Sequence, residues 1–125
     1  MRMKRHLIAV IDDDEDVRDA IRGLMRSVGF AAEAFSSAQE FLRSKQFSKT
    51  ACLITDVNMP AMSGIDLCRH LSGAGAAIPT ILITAYPDDD VRSFAEATGI
   101  IAYLVKPFSQ EDLLDGIRMA LDGTA

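Results

Sequence analysis

The stretch ACLITD, residues 51–56, is a short apolar run that ends on a hydroxyl and a carboxylate. Three other stretches repeat this pattern: LIAVI (7–11) before Asp12 and Asp13, TILI (80–83) before Thr84, and IIAYLV (100–105) before Lys106. Apolar runs of about four to eight residues, separated by helical patterns, indicate buried parallel strands. Because parallel strands point the same way, the residues that follow them are expected to converge at one edge of a sheet.

A fifth strand and five helices complete the predicted pattern. Residues 30–35 form a weaker strand, and the charged Glu33 within it favours an edge position. The alternation predicts an α/β protein with a doubly wound, five-stranded parallel sheet. Right-handed crossovers and the usual arrangement of five such strands predict the order 2-1-3-4-5. The helix positions predicted to face the core include Val17, Ile21, Leu24 and Val28 in the first helix, Thr98 in the fourth, and Leu114, Ile117 and Leu121 in the last.

Length and composition exclude several classes of protein. A chain of 125 residues fits one domain, predicted here to span residues 1–125. The formal net charge of −5 argues against direct nucleic-acid binding, which normally uses a basic surface. No run approaches the roughly 18 apolar residues of a membrane span, and the apolar stretch near the N-terminus is too short for a signal peptide. Cys52 and Cys68 lack the spacing of a metal site, so we expect reduced thiols in a soluble, cytoplasmic protein.

The predicted strand order places Asp12, Asp13 and Asp56 in one crevice, because the first and third strands are then neighbours. Three close carboxylates repel one another, and at least one pKa rises unless a cation is present. Mg²⁺ prefers oxygen ligands and is held by one or two carboxylates plus phosphate oxygens, so it fits this set of residues, with the Asn58 carbonyl nearby. With Mg²⁺ bound, a carboxylate can act as a nucleophile and form an aspartyl phosphate.

Lys106 and Thr84 would serve the same chemistry from the two remaining strands. Phosphoryl transfer depends on positioning and on neutralising the oxygens around phosphorus. Lys106 supplies a positive charge, and Thr84 can donate a hydrogen bond. Taken singly, the residues have plainer explanations: a helix cap for Asp13, a strand end for Asp56 and a solvated charge for Lys106. Their coincidence at the ends of four strands favours the functional interpretation.

Four segments of the chain resemble the receiver domain of two-component response regulators: IDDDEDVR (11–18), LITDVNMPAMSGIDL (53–67), ILITAY (81–86) and YLVKPF (103–108). The resemblance covers essentially the whole chain and implies a flavodoxin-like receiver fold. It implies that Asp56 is the phosphoacceptor. It also implies that Mg²⁺ is held by Asp12, Asp13, Asp56 and the main-chain carbonyl of Asn58.

The resemblance further implies partners and a conformational output. Thr84 and Lys106 are expected to contact the phosphoryl group, which comes from a phosphohistidine on a sensor histidine kinase or phosphotransfer protein. Thr84 then moves towards the phosphoryl group, and the ring of Tyr103 turns into the space left behind. This switch remodels the face formed by helix 4, strand 5 and helix 5, which an output domain, a downstream protein or a second copy recognises. The domain would catalyse only its own phosphorylation and dephosphorylation.

Two rival functions remain open at this point. Phosphatases and phosphotransferases of the haloacid-dehalogenase type also use an aspartyl nucleophile, but they carry a second Asp two residues later, where this chain has Asn58. A degenerate receiver that acts only as a binding module would lack acids or the lysine, and this chain keeps all of them. Turnover of a phosphomonoester would support the phosphatase or phosphotransferase. Failure to bind Mg²⁺ or to accept phosphate would support the degenerate receiver. The chain is expected to be either a stand-alone receiver or a piece of a longer regulator.

Overall fold

Five parallel strands, hydrogen-bonded in the order β2-β1-β3-β4-β5, form the sheet of the computed structural model, which describes residues 6–122. The strands are β1 (Leu7–Ile11), β2 (Ala31–Phe35), β3 (Thr50–Asp56), β4 (Thr80–Thr84) and β5 (Ala102–Val105). The helices are α1 (Glu15–Ser27), α2 (Ala38–Arg43), α3 (Gly64–Gly73), α4 (Asp89–Ala97) and α5 (Gln110–Asp122), with a short 3₁₀ turn at Phe47–Lys49. The predicted α/β class, the strand order and the edge position of the second strand are therefore confirmed. Residues 1–5 and 123–125, which belong to the predicted domain of residues 1–125, lie outside the described range.

Both faces of the sheet are buried, which is why its strands are almost continuously apolar. Successive residues of a strand point to opposite faces, so each strand contributes to two cores. One core lies against α1 and α5; its fully buried members include Ile8, Val10, Ile54, Ile81, Ile21, Met25, Leu113 and Ile117. The other face packs against α2, α3 and α4; its fully buried members include Ala9, Ile11, Leu53, Phe41, Leu67, Leu71 and Leu82.

Two of the predicted core-facing helix positions are wrong, and a third detail needs refinement. Val28 lies just after the end of α1 and is 46% exposed, because the buried face of that helix centres on Ile21 and Met25. Thr98 is exposed at the end of α4, where its hydroxyl donates to the carbonyl of Phe94. In α5 the deeply buried leucine is Leu113, and the predicted positions 114 and 121 are only partly buried.

The strands end slightly later than the apolar runs that predicted them. Strand β3 includes Asp56 as its last residue, and β4 includes Thr84. Both side chains are therefore fixed by strand backbone at the C-terminal edge of the sheet, where loops of α/β proteins form ligand sites. Within residues 6–122, the structure contains no helix with the length and apolar character needed to cross a bilayer.

Candidate functional site

Lys106 lies between two carboxylates at the C-terminal edge of the sheet. It follows β5 directly, and its ammonium donates to Asp12 Oδ2 over 2.9 Å and lies 3.6 Å from Asp56 Oδ2. Asp12 follows β1 and is fully buried, and Asp56 ends β3 and is 5% exposed. The Lys106–Pro107 peptide bond after the ammonium-bearing residue is cis. The structure thus brings together side chains from three strands, as the sequence predicted.

Asp13 joins the two buried acids to form a cluster of three carboxylates. One oxygen from each of Asp12, Asp13 and Asp56 lies within 4.8 Å of the other two. Asp13 is exposed, so this cluster opens to solvent on one side. Asp12 is held in place from both ends, because its Oδ1 accepts from the Asp14 N–H at 2.9 Å and its carbonyl accepts from Arg18 Nη1 at 2.8 Å.

The electrostatics of this cluster are only partly balanced. Burial, followed by the negative charge of Asp12, raises the pKa of the Asp56 carboxyl above its usual range. Lys106 and the hydrogen bond from the Asn58 N–H act in the opposite direction without cancelling this rise. Burial alone would lower the pKa of Lys106, but its hydrogen bond and ion pairs with Asp12 and Asp56 outweigh burial and raise it. Lys106 therefore stays charged, and the site still carries excess negative charge.

A divalent cation fits this donor set. The three clustered side chains offer hard carboxylate oxygens, which Mg²⁺ prefers over nitrogen or sulfur ligands. A cation here would also relieve the like-charge repulsion that, after burial, raises the pKa of Asp56. The structure thus supports an acidic metal site, composed of Asp12, Asp13 and Asp56.

Thr84 has a fully engaged hydroxyl in this structure. The side chain is buried at the end of β4. Its Oγ1 accepts from the Tyr86 N–H at 2.9 Å and from the Asn58 side-chain amide at 3.2 Å, and it donates to the Tyr86 carbonyl at 3.2 Å. Sequence reasoning placed Thr84 at this edge but missed the amide of Asn58, because nothing in a loop sequence predicts which way an exposed side chain turns.

Asn58 connects the loop after β3 to both neighbouring site residues. Its N–H donates to Asp56 Oδ1 at 3.2 Å, while its side-chain amide reaches Thr84. The resemblance to receiver domains predicts that its main-chain carbonyl binds the metal, and this role stays a prediction; in the structure, Asn58 lies next to Asp56. The two contacts fix the loop against the end of β3.

Tyr103 lies half-buried on β5, one strand away from Thr84. Its ring packs on the cluster formed by Val57, Leu82 and Ala95 beneath α4. Its hydroxyl accepts a hydrogen bond from the Asp88 N–H at 3.1 Å. The guanidinium carbon of Arg92 lies 4.8 Å from the centroid of the ring. Arg92 was not identified from the sequence, where it is one of several cations on helix surfaces.

The structure is that of a doubly wound α/β protein that carries an acidic cluster and a lysine at the switch point of its parallel sheet, where such folds bind ligands. A family model described as the response regulator receiver domain matches residues 8–118. The chain therefore belongs to the receiver domain family of two-component response regulators. Proteins of this family act in signal transduction, and the family is generally not one of classical enzymes.

Individual relatives agree with this assignment. The chain is 41% identical over 121 residues to the response regulator protein TodT of Pseudomonas putida, covering 97% of this chain and 53% of TodT. It is 36% identical over 116 residues to nodulation protein W of Bradyrhizobium diazoefficiens, covering 93% of this chain and 51% of that protein. Among solved structures, the response regulator StyR matches with a TM-score of 0.87 and 39% identity, over 95% of this chain and 60% of the StyR chain. The chain thus spans about half the length of the curated relatives it matches.

Proposed function

We propose that this chain is a single receiver domain over residues 1–125 that accepts a phosphoryl group on Asp56. The donor is a phosphohistidine on a sensor histidine kinase or phosphotransfer protein. The observation that carries this proposal is the shared ammonium of Lys106, at 2.9 Å from Asp12 and 3.6 Å from Asp56, in a cluster of three carboxylates. An acidic cluster without a neighbouring ammonium would repel a phosphoryl group. The positive charge of Lys106 lets the cluster receive that group.

Mg²⁺ is the proposed cofactor. Asp12, Asp13, Asp56 and the main-chain carbonyl of Asn58 would hold it, which leaves positions for water and phosphoryl oxygens. When bound, the ion neutralises the charge of the phosphoryl oxygens and shields them from the carboxylates. The clustering of the three acids within 4.8 Å supports this ligand set.

The residues of the chain divide the remaining work. A carboxylate oxygen of Asp56 attacks phosphorus, the phosphorus–nitrogen bond of phosphohistidine breaks, and the electron pair returns to the imidazole nitrogen. Lys106 is already within 3.6 Å of Asp56 and offers its charge to the transferred group. Thr84 must give up its hydrogen bond to the Tyr86 carbonyl in order to donate to a phosphoryl oxygen. Hydrolysis of the acyl phosphate by water restores Asp56, so the domain catalyses only its own phosphorylation and dephosphorylation.

The output is a change of surface. Movement of Thr84 towards the phosphoryl group leaves space into which the ring of Tyr103 turns, and this remodels the face of α4, β5 and α5. An output domain, a downstream protein or a second copy of the domain in a phosphorylation-dependent homodimer then recognises that face. We propose a cytoplasmic location, with no direct nucleic-acid binding by this domain, in keeping with its net charge of −5.

The decisive experiment is incubation with Mg²⁺ and acetyl phosphate, followed by intact-mass spectrometry and size-exclusion chromatography. We expect the wild-type domain to gain the mass of one phosphoryl group, and Asp56→Asn to gain none. Asp115→Asn is the matched control, because it removes an exposed carboxylate of α5 that pairs with Arg118 and is not part of the acidic cluster, and it should be labelled like the wild type. EDTA should abolish labelling of the wild type and of Asp115→Asn.

Three outcomes would contradict the proposal. Labelling of Asp56→Asn would move the phosphoacceptor to another residue. Absence of labelling in the wild type would favour a degenerate receiver, and continuous release of phosphate from a phosphomonoester would favour an aspartyl phosphatase. An unchanged elution volume after complete labelling would contradict the proposed homodimer but not the proposed phosphorylation of Asp56.

A further inference from the structure

The side chain of Tyr103 is held at two separate points. At its tip, the hydroxyl accepts from the Asp88 N–H at 3.1 Å, in the loop that leads into α4. On its face, the guanidinium carbon of Arg92 lies 4.8 Å from the ring centroid, a distance typical of a cation–π contact. Both contacts come from the start of α4, and both require the ring to stay in its present orientation.

Arg92 makes this contact although acidic partners are available on its own helix. Asp89 precedes it by three residues and Glu96 follows it by four, spacings at which helix side chains form ion pairs. Nevertheless, the ion pairs found within residues 6–122 do not include Arg92. The carboxylate of Asp88 is also occupied, because it caps α4 by accepting from the N–H groups of Asp90 and Val91. The Arg92 guanidinium therefore packs on the Tyr103 ring instead of pairing with a carboxylate of its own helix.

The contact matters because α4 is otherwise weakly anchored. Ala95 is the one residue of α4 that is buried in the described structure, and Val91 and Phe94 are only partly buried, so the helix has little deep packing to hold it against the sheet. Tyr103 lies opposite Leu82 in the pairing of β5 with β4, and its ring reaches from the sheet to the first turn of α4. The ring and Arg92 together thus couple the position of α4 to the state of Tyr103.

We infer that Arg92 is a positioning residue that holds Tyr103 in its present, half-buried orientation and thereby opposes the switch of the unphosphorylated domain. The inference rests on the proposed function, since it concerns the threshold of that switch. When Tyr103 turns inward, the cation–π contact is lost, and the Arg92 guanidinium is released onto the surface of α4. Its interaction with the ring therefore stabilises the resting state relative to the phosphorylated one.

The test measures both the ring and the switch. The chain contains two tyrosines, so 3-fluorotyrosine labelling gives two ¹⁹F resonances, which Tyr86→Phe assigns. We expect Arg92→Met, without any ligand, to shift the Tyr103 resonance towards its position in the wild type bound to Mg²⁺ and beryllofluoride. Arg92→Met should also raise the apparent affinity for beryllofluoride by about two- to fivefold, the size expected from losing one exposed cation–π contact. Arg92→Lys, which keeps a cation on the ring, should fall between the two.

Arg118→Met is the matched control, because it removes the same charge from an exposed helix position paired with Asp115. A second control repeats Arg92→Met in a Tyr103→Leu background, where the substitution should have no effect on beryllofluoride affinity. The inference is overturned if Arg92→Met behaves like Arg118→Met, if it lowers the affinity, or if its effect persists without the tyrosine. Failure of the wild type to respond to Mg²⁺ and beryllofluoride would instead refute the proposed function, and the ligand-free Tyr103 resonance would still report whether Arg92 holds the ring.

Discussion

Asp56 is a buried carboxylate that lies beside a second buried carboxylate and shares one ammonium with it. Burial and the charge of Asp12 raise its pKa, and Lys106 offsets only part of that rise. A site arranged in this way costs stability while it is empty, because an ionised group is held away from water next to a like charge. The same arrangement makes the site receptive to a cation and, through Lys106, to an anionic group.

The substitution Asp56→Asn should therefore stabilise the domain in magnesium-free buffer at neutral pH, by on the order of 1 kcal/mol. The pKa of Asp56 is higher in the folded state than in the unfolded state, so folding favours the protonated carboxyl. The stabilisation that comes from protonation is complete below the unfolded-state pKa and is lost as pH rises through the folded-state pKa. The advantage of the variant should shrink as the pH is lowered. Urea denaturation in EDTA at neutral and acidic pH measures this change.

Glu33→Gln serves as the control for this substitution, since it also removes one negative charge but from an exposed position on the edge strand β2. Its free energy of unfolding should stay close to that of the wild type at neutral pH. An advantage of Asp56→Asn that grows towards acidic pH would show that the assigned sign is incorrect.

Individual contacts mark the limit of what the sequence could predict at this scale. The convergence of Asp12, Asp56, Thr84 and Lys106 followed from the direction and order of the parallel strands. The amide of Asn58 on Thr84 and the guanidinium of Arg92 on Tyr103 did not, because each depends on a loop or rotamer that carries no periodic signal. Both lie on exposed residues, where many orientations are sterically allowed.

At the scale of elements, the end of β3 and the start of α3 are in close contact. Gly64 is the first residue of α3, and a Cβ added there would lie 2.5 Å from the carbonyl oxygen of Asp56 and 3.2 Å from the Val57 Cα. The Gly64 N–H also donates to the Val57 carbonyl at 3.1 Å. Ser63 and Asp66 form a capping box that fixes where α3 begins. The absence of a side chain at Gly64 thus lets α3 approach the backbone at the end of β3.

The substitution Gly64→Ala should lower the free energy of unfolding by about 1–3 kcal/mol, as over-packing against fixed backbone does. It should also slow labelling by acetyl phosphate, because the clash is with the backbone of Asp56 itself. Gly23→Ala in α1 is the control: a Cβ there meets nothing within 4 Å, so helix propensity should stabilise the domain by about 0.5–1 kcal/mol. Urea denaturation of both variants gives the comparison, and equal stability would contradict the proposed close approach.

The sequence predicted the buried faces of α1 and α5 but not the residues at their centres. Apolar spacing correctly indicated that α1 and α5 bury one face, but it selected Val28 and Leu114 where Met25 and Leu113 are the deeply buried residues. The apolar spacing of a helix locates the centre of its buried face to within about one residue. The side chains of the sheet against which the helix packs then decide which residue is most deeply buried. The end of a helix is harder still, since Val28 continues the apolar spacing of α1 after the helix has stopped.

For the molecule as a whole, the strand order joins residues that are far apart in sequence. With β1 placed between β2 and β3, Asp12 and Asp56 become neighbours, and β4 and β5 bring Thr84 and Lys106 to the same edge. This was predictable because right-handed crossovers restrict the topology and parallel strands share one direction. The state of α4 and of Tyr103 was not predictable in the same way, because it depends on a balance of small contacts rather than on topology.

Binding of Mg²⁺ at this edge should stabilise the entire domain, because the proposed carboxylate ligands lie at the ends of two different strands and assemble only in the folded state. Binding to the folded state alone raises the free energy of unfolding by about 2.7 kcal/mol when free Mg²⁺ exceeds its dissociation constant by about 100-fold. The thermal midpoint should therefore rise with Mg²⁺ concentration and fall again after addition of EDTA.

Asp13→Asn should reduce this rise without greatly changing stability in EDTA, since Asp13 is the exposed member of the cluster. Glu33→Gln, which removes a charge elsewhere on the surface, should respond to Mg²⁺ like the wild type. An equal response of Asp13→Asn and the wild type would remove Asp13 from the ligand set, and no response in either protein would mean that the carboxylate cluster does not bind the ion.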